Sequence, residues 1–154
     1  MEEEEEAMRP ELTAIAAAVT VAIPAVGVEA AKTGYLFLPF RGGVPFDVEV
    51  DQTLVASLST HEAQIVDMRG DLVTMVDSYP SKPGADGACK EGREVYVRLL
   101  DLAERRERSA TLARSCRSGI TAADPLVTWK ADGGGYTINF TNRAPLWVPA
   151  NGGS

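Results

Sequence analysis

The sequence contains one histidine, so any Ser-His-Asp or Cys-His catalytic system would have to use His61. This residue lies in the polar stretch Ser59-Thr60-His61-Glu62, which is typical of a surface turn. Because nothing in the sequence marks a triad around it, we expect a surface histidine without a catalytic role. One histidine and two separated cysteines also fall short of the four ligands of a structural zinc site. The sequence therefore predicts no catalytic, metal or cofactor site.

Carboxylates are numerous enough to form the acid pair that a glycoside hydrolase uses. The candidate pairs are Asp67 with Asp77 and Glu94 with Asp101. All four lie along predicted strands with no sign of burial, and their separation cannot be read from the sequence. We therefore favour solvated strand edges and turns over an acid pair.

Several arginines gather around one predicted hairpin and form the most suggestive surface feature of the sequence. They could contact anionic headgroups, polysaccharide or an acidic protein. Glu104 and Glu107 lie among them, which favours the simpler interpretation of a solvated hairpin loop. No aromatic residues interleave with them, so nucleic acid is not an expected partner. The possible binding surface consists of Arg105, Arg106, Arg108, Arg114 and Arg117.

Two glycine-containing motifs are better explained by turns than by ligands. Arg69-Gly70-Asp71 matches an adhesion tripeptide, but a tight hairpin turn accounts for all three residues. The glycines at 133–135 do not open a helix after a strand, so they are not a phosphate-binding loop. Both segments are predicted to connect strands.

The apolar residues 13–27 resemble the core of a secretory signal peptide. They are too few to cross a bilayer, which takes about 20 residues as a helix. The small residues around Ala30 favour cleavage after it, leaving residues 31–154 as a single exported domain with no stable membrane span. Met1 precedes five glutamates, so Met8, followed by Arg9, is an alternative start. The competing interpretation is a buried helix with an acidic N-terminal end.

The predicted export changes how charge and cysteines are interpreted. The net charge of −7 lies almost entirely in the first 30 residues, since the remainder holds 15 acids and 14 bases. The mature chain would be nearly neutral, and its charge selects no partner. An even pair of cysteines in an exported protein indicates one disulfide, here Cys89 with Cys116. In a cytosolic protein they would be buried free thiols.

Alternating apolar and polar residues predict a chain of short strands. A long helix is the alternative for residues 94–114, because Leu, Ala, Glu and Arg all favour one. We expect an all-β fold, an antiparallel sandwich or open barrel of short strands after a cleaved N-terminal signal helix. The predicted strands are 35–40, 46–50, 64–68, 72–78, 94–102, 109–115, 126–130, 136–140 and 144–148.

A short pattern resembles small uncharacterised exported proteins of Gram-negative bacteria. It consists of Cys89-x-x-Gly92-x-Glu94, then Ser115-Cys116, Asp124-Pro125 and Trp129. The resemblance covers roughly residues 76–140 and implies a secreted β-rich domain with the two cysteines joined. It carries no activity and no mechanism.

These observations favour a non-enzymatic exported β-domain, periplasmic or secreted, that binds a protein or a cell-envelope component. One alternative is an inhibitor or immunity-type protein that acts on a toxin or lysozyme, and another is a small periplasmic hydrolase with a dispersed carboxylate site. A buried acid pair in a cleft would favour the enzyme, and a protruding loop without a pocket would favour the inhibitor. A flat apolar patch would favour assembly with a partner. The sequence does not predict an oligomeric state.

Overall fold

The computed structural model describes residues 32–38, 44–59 and 61–151. These residues form nine strands and no helix, which confirms the predicted all-β antiparallel class. The predicted signal helix lies outside the described residues. The strands are β1 (Lys32–Leu38), β2 (Val44–Glu49), β3 (Glu62–Arg69), β4 (Leu72–Pro80), β5 (Arg93–Asp101), β6 (Arg106–Ser115), β7 (Ala122–Trp129), β8 (Gly135–Phe140) and β9 (Leu146–Pro149).

The strands form three antiparallel sheets in chain order, β1-β2, β3-β4-β5-β6 and β7-β8-β9. Consecutive strands pair because the turns between most of them are short. Gly70 shows how one turn forms, since its φ of +60° is a conformation that glycine adopts without a Cβ clash. The tight turn predicted at Arg69-Gly70-Asp71 is therefore present between β3 and β4.

The four-stranded sheet is the central layer, and each of its faces packs against a different sheet. One face buries Val73 and Leu100 with Phe46 and Val48 of β2. The other face carries residues such as Val97 and Leu99 of β5 and packs against Tyr136 and Ile138 of β8. The domain thus has two apolar layers, one on each side of the central sheet.

The β5–β6 hairpin replaces the helix considered for residues 94–114. Eight of the nine β5 residues are buried, because this strand lies inside the sheet and both of its faces are covered. The returning strand begins at Arg106, three residues earlier than the predicted start at Ser109. The charged residues extend the strand because Glu107 pairs with Arg98 and Arg108 pairs with Asp101.

The predicted disulfide between Cys89 and Cys116 is present, with a Cα–Cα distance of 5.7 Å. It ties the loop after β4 to the residue that follows β6. Within the described part of the chain, no helix has the length and apolar character needed to span a membrane.

Candidate functional site

A buried network of charged side chains lies between the central sheet and β2. Its centre is Arg98 of β5, whose side chain has no exposed surface. Arg98 Nε lies 3.0 Å from Asp77 Oδ2, and Arg98 Nη1 lies 2.7 Å from Glu107 Oε2. Each carboxylate is itself almost fully buried, at 0% and 8% side-chain exposure. The network thus joins β4, β5 and β6 on one face of the sheet.

The same network holds the end of β2 in place. Arg98 Nη1 donates a hydrogen bond to the Glu49 carbonyl at 2.8 Å, and the Glu49 amide donates to Glu107 Oε1 at 3.0 Å. Burial raises the pKa of the Glu107 carboxyl, and the positive charge of Arg98 only partly opposes this effect. Arg98 also lies 4.7 Å from the centroid of the Tyr96 ring. The buried charge cluster therefore fixes the end of β2 against the central sheet.

His61 is connected to the network and is not the lone surface histidine that we expected. Its Nδ1 lies 2.7 Å from Asp77 Oδ1, and the His61 side chain is only 22% exposed. The ring stacks on Tyr79 at a centroid distance of 5.3 Å, and the Tyr79 hydroxyl donates to Asp77 Oδ2 at 2.5 Å. Asp77 can orient the imidazole, as the carboxylate of a catalytic triad does.

The dyad of His61 and Asp77 lacks the other parts of a hydrolytic site within the described residues. No serine, threonine or cysteine side chain there hydrogen-bonds to His61. No group of three or more His, Cys, Asp or Glu residues in the same part of the chain could hold a metal ion. The dyad by itself can accept or donate a proton, and it shows no nucleophile and no oxyanion donors.

The sequence did not indicate this network, because alternation along β5 shows only that Glu94, Tyr96 and Arg98 share one face, opposite Val95, Val97 and Leu99. That face is covered by β2 and by the chain that follows β2. The sequence of β4 did indicate one member of the network, because Asp77 lies on the same face of the strand as the apolar residues Val73 and Met75. A carboxylate in that register is predicted to be buried.

Neither of the two candidate carboxylate pairs, which the sequence did not favour, is brought together. Asp67 pairs with Arg69 at the surface, whereas Asp77 points into the buried network. Glu94 and Asp101 lie at opposite ends of β5, roughly 23 Å apart at about 3.3 Å per residue. No acid pair of the kind that glycoside hydrolases use is formed by these four residues.

The Cys89-x-x-Gly92-x-Glu94 motif packs around the disulfide. Glu94 is fully buried and accepts hydrogen bonds from the Ser81 hydroxyl at 2.8 Å and the Arg117 amide at 3.1 Å. A Cβ on Gly92 would lie 2.7 Å from the Cys116 Cβ, so only glycine fits there without rearrangement. The motif therefore has a structural explanation.

The five arginines of the predicted surface divide between the two ends of the β5–β6 hairpin. Arg105, Arg106 and Arg108 lie at the turn, and Arg114 and Arg117 lie near the disulfide, roughly 30 Å away along the strand. Arg106 pairs with Glu104, and Arg108 pairs with Asp101 at 2.5 Å.

A polar pocket of about 280 Å³ lies beside the turn. Its lining combines positive and negative side chains, so no strongly positive patch results. The lining residues are Asp47, Glu49, Arg105, Arg106, Glu107, Arg108, Ser109 and Ala110.

Strand β3 is the most unusual surface of the domain, and we call Glu62–Arg69 the β3 edge strip. It lies at the edge of the central sheet, and seven of its eight residues are exposed. Three large apolar side chains are among them, Ile65, Val66 and Met68, with exposures of 36%, 44% and 43%. Native edge strands usually avoid such a combination, because it promotes pairing with another chain.

The edge strip has an apolar face and a polar face. Ile65 lies opposite Met75 and Met68 lies opposite Val73, so both share the face of those buried residues. Val66 is the extra residue of a β-bulge between them. The opposite face carries Glu62, Gln64, Asp67 and Arg69.

No protein-family model, no curated protein and no solved structure matches this chain. The resemblance to small exported bacterial proteins accordingly stays a prediction.

Proposed function

We propose that this chain is a non-enzymatic exported β-domain that binds another protein through the β3 edge strip. One observation carries the proposal: an edge strand exposes Ile65, Val66 and Met68 beside a backbone edge that no other strand of the described residues pairs with. An extended segment of a partner can add to such an edge, with backbone hydrogen bonds giving affinity and side chains giving specificity. A flat apolar patch is also the feature that the sequence linked to assembly with a partner.

Export is part of the proposal and rests on two features. The apolar residues 13–27 have the length of a signal-peptide core, and the Cys89–Cys116 disulfide is compatible with an oxidising compartment. The proposed mature domain begins near Ala31 and functions in the periplasm or outside the cell.

The charges favour a protein partner over an anionic envelope polymer. An anionic polymer would need a continuous positive surface. Arg106 and Arg108 are instead paired with acids, and the five arginines are divided between the two ends of the β5–β6 hairpin. We retain Arg105, Arg114 and Arg117 as proposed contact points at those two ends. An inhibitor or immunity-type protein is one form that this protein-binding function could take.

Site-specific photo-cross-linking in the native host tests the proposal. A photoreactive amino acid at Val66 should form a discrete covalent adduct with a polypeptide in the envelope fraction. The matched control is the same amino acid at Thr128, which is exposed on β7 of another sheet. A discrete adduct from position 66 alone supports the proposal. Equal labelling from both positions, or none from position 66, overturns it.

The His61–Asp77 dyad favours a second candidate, a small periplasmic hydrolase in which His61 is a general base. The supporting observation is the 2.7 Å contact that orients the imidazole. If this candidate is correct, the purified domain hydrolyses activated esters or phosphodiesters, and His61→Asn abolishes the turnover while the fold is retained. Equal rates for wild type and variant would exclude it.

A further inference from the structure

We infer that the partner of the β3 edge strip is a second copy of this chain, paired with it antiparallel about a two-fold axis. The inference rests on the proposed function and adds the identity of the partner. It would join two four-stranded sheets into one continuous sheet across the axis.

The register of this pairing follows from the bulge. In an antiparallel pair, residues that lie opposite each other point to the same face of the sheet. In a regular strand, two residues seven positions apart point to opposite faces, so they could not lie opposite each other in a symmetric pair of strands. Glu62 and Arg69 have that separation, yet both lie on the polar face because Val66 is an extra residue. The bulge therefore permits a register centred on Ile65 that a regular strand would exclude.

In this register the two copies are complementary at the seven paired positions of the edge strip, and the bulged Val66 has no residue opposite it. Glu62 of each copy lies opposite Arg69 of the other, so the symmetry produces two opposite-charge pairs. Gln64 lies opposite Asp67 on the same polar face, where an amide can donate to a carboxylate. On the apolar face Ala63 lies opposite Met68, and the two copies of Ile65 face each other.

The side chains that would make the charge pairs are accessible. The Glu62 side chain is 86% exposed, and its contact with Arg93 is long, at 3.9 Å. Arg69 is 39% exposed and is held by Asp67 at 2.9 Å and by the Trp129 ring at 4.5 Å. Arg69 is thus ordered before association, so less side-chain freedom is lost when it binds.

The apolar face supports the same arrangement. Met68 and Ile65 continue the apolar layer that Val73 and Met75 begin, and none of the described residues of the chain covers them fully. The other exposed apolar edge, β9, is shorter and ends at Pro149, which has no backbone N–H to donate. Its four residues carry no charges, so β9 offers no electrostatic complementarity to a second copy.

Charge reversal gives a direct test by sedimentation velocity of the oxidised protein over a range of concentrations. The wild type should form a dimer as the concentration rises. Glu62→Arg places like charges opposite each other at both positions, and so does Arg69→Glu, so each variant alone should be monomeric at concentrations where the wild type is dimeric. An equimolar mixture of the two variants should form a heterodimer, because the opposite charges then face each other again.

Two controls make the result specific. The double variant Glu62→Arg with Arg69→Glu should dimerise like the wild type, which only folded chains can do. Lys82→Glu reverses an exposed charge after β4 and should leave association unchanged. The inference is overturned if the wild type stays monomeric, if either single variant dimerises like the wild type, or if the mixture does not associate.

The two proposals can fail separately. A monomeric wild type that still cross-links from position 66 to a different polypeptide overturns self-pairing and leaves the proposed function intact. A monomeric wild type without any such adduct overturns both.

Discussion

At the scale of single residues, the buried network raises the question of why the domain places a guanidinium in its core. Arg98 of β5 satisfies two carboxylates and one backbone carbonyl, and these three groups belong to three other strands, β4, β6 and β2. Burying charges costs more than their attraction returns unless the hydrogen bonding is good. The network therefore stabilises one particular arrangement of β2 on the central sheet, because Arg98 and Glu107 each hydrogen-bond to the backbone of Glu49.

Replacing Arg98 tests this role. Arg98→Met keeps much of the side-chain volume but leaves Asp77 and Glu107 buried without their cation. We expect a loss of about 3–5 kcal/mol in the free energy of unfolding, measured by urea denaturation. The matched control is Arg106→Ala, which removes an exposed partner of Glu104 and should cost less than about 1 kcal/mol. Losses of similar size in the two variants would contradict a special role for the buried arginine.

Asp101 gives a prediction about pH. Burial alone would raise the pKa of this carboxyl, but the Glu104 amide and the Arg108 guanidinium outweigh burial and lower the pKa. A lowered folded-state pKa means that the charged form contributes stability above the ordinary pKa, and that this contribution is lost as the pH falls through the lowered value.

We therefore expect Asp101→Asn to be less stable than the wild type at pH 7 and to approach it below about pH 4. Unfolding by urea at both pH values measures the difference. Arg108→Gln removes the cation from the same pair and should show the same convergence. A gap between Asp101→Asn and the wild type that does not narrow in acid would contradict this account.

At the scale of elements, the strands that could be predicted are those with one exposed face. In β2, Phe46 and Val48 are buried and alternate with the exposed Asp47 and Glu49, as the sequence indicated. Strand β5 could not be interpreted in this way, because its polar residues are buried in a network that joins distant parts of the chain. The bulge at Val66 leaves no sequence signal, since it depends on how β3 aligns with β4.

The disulfide constrains the element that contains the least regular structure, the loop between β4 and β5. Cys89 and Cys116 are separated by 27 residues, and closing such a loop stabilises a fold by about 3–4 kcal/mol in the chain-entropy model. We expect the double replacement by serine to lower the free energy of unfolding by about that amount under oxidising conditions. Thermal melting with and without a reductant measures it, since the reduced wild type should resemble the variant. Equal melting of the oxidised wild type and the variant would contradict a stabilising bridge.

At the scale of the whole molecule, the nine strands and the disulfide were accessible from the sequence, but the layering was not. Periodicity shows that a strand has a buried face, and it does not show which other strand covers that face. The central position of the four-stranded sheet explains why β5 is buried on both faces and why β4 is buried on one face and half-buried on the other. Strand β3 lies at the edge of that sheet, and within the described part of the chain its side chains Ile65, Val66 and Met68 stay exposed.

We propose above that the exported, disulfide-bonded domain binds a polypeptide through β3. The first measurement to make is native mass spectrometry of the protein recovered from each cell fraction of its own host, before and after reduction and alkylation. We expect a chain that begins near Ala31, has cysteines that react only after reduction, and is found in a complex with a second polypeptide. A full-length, monomeric chain with two free thiols would contradict it.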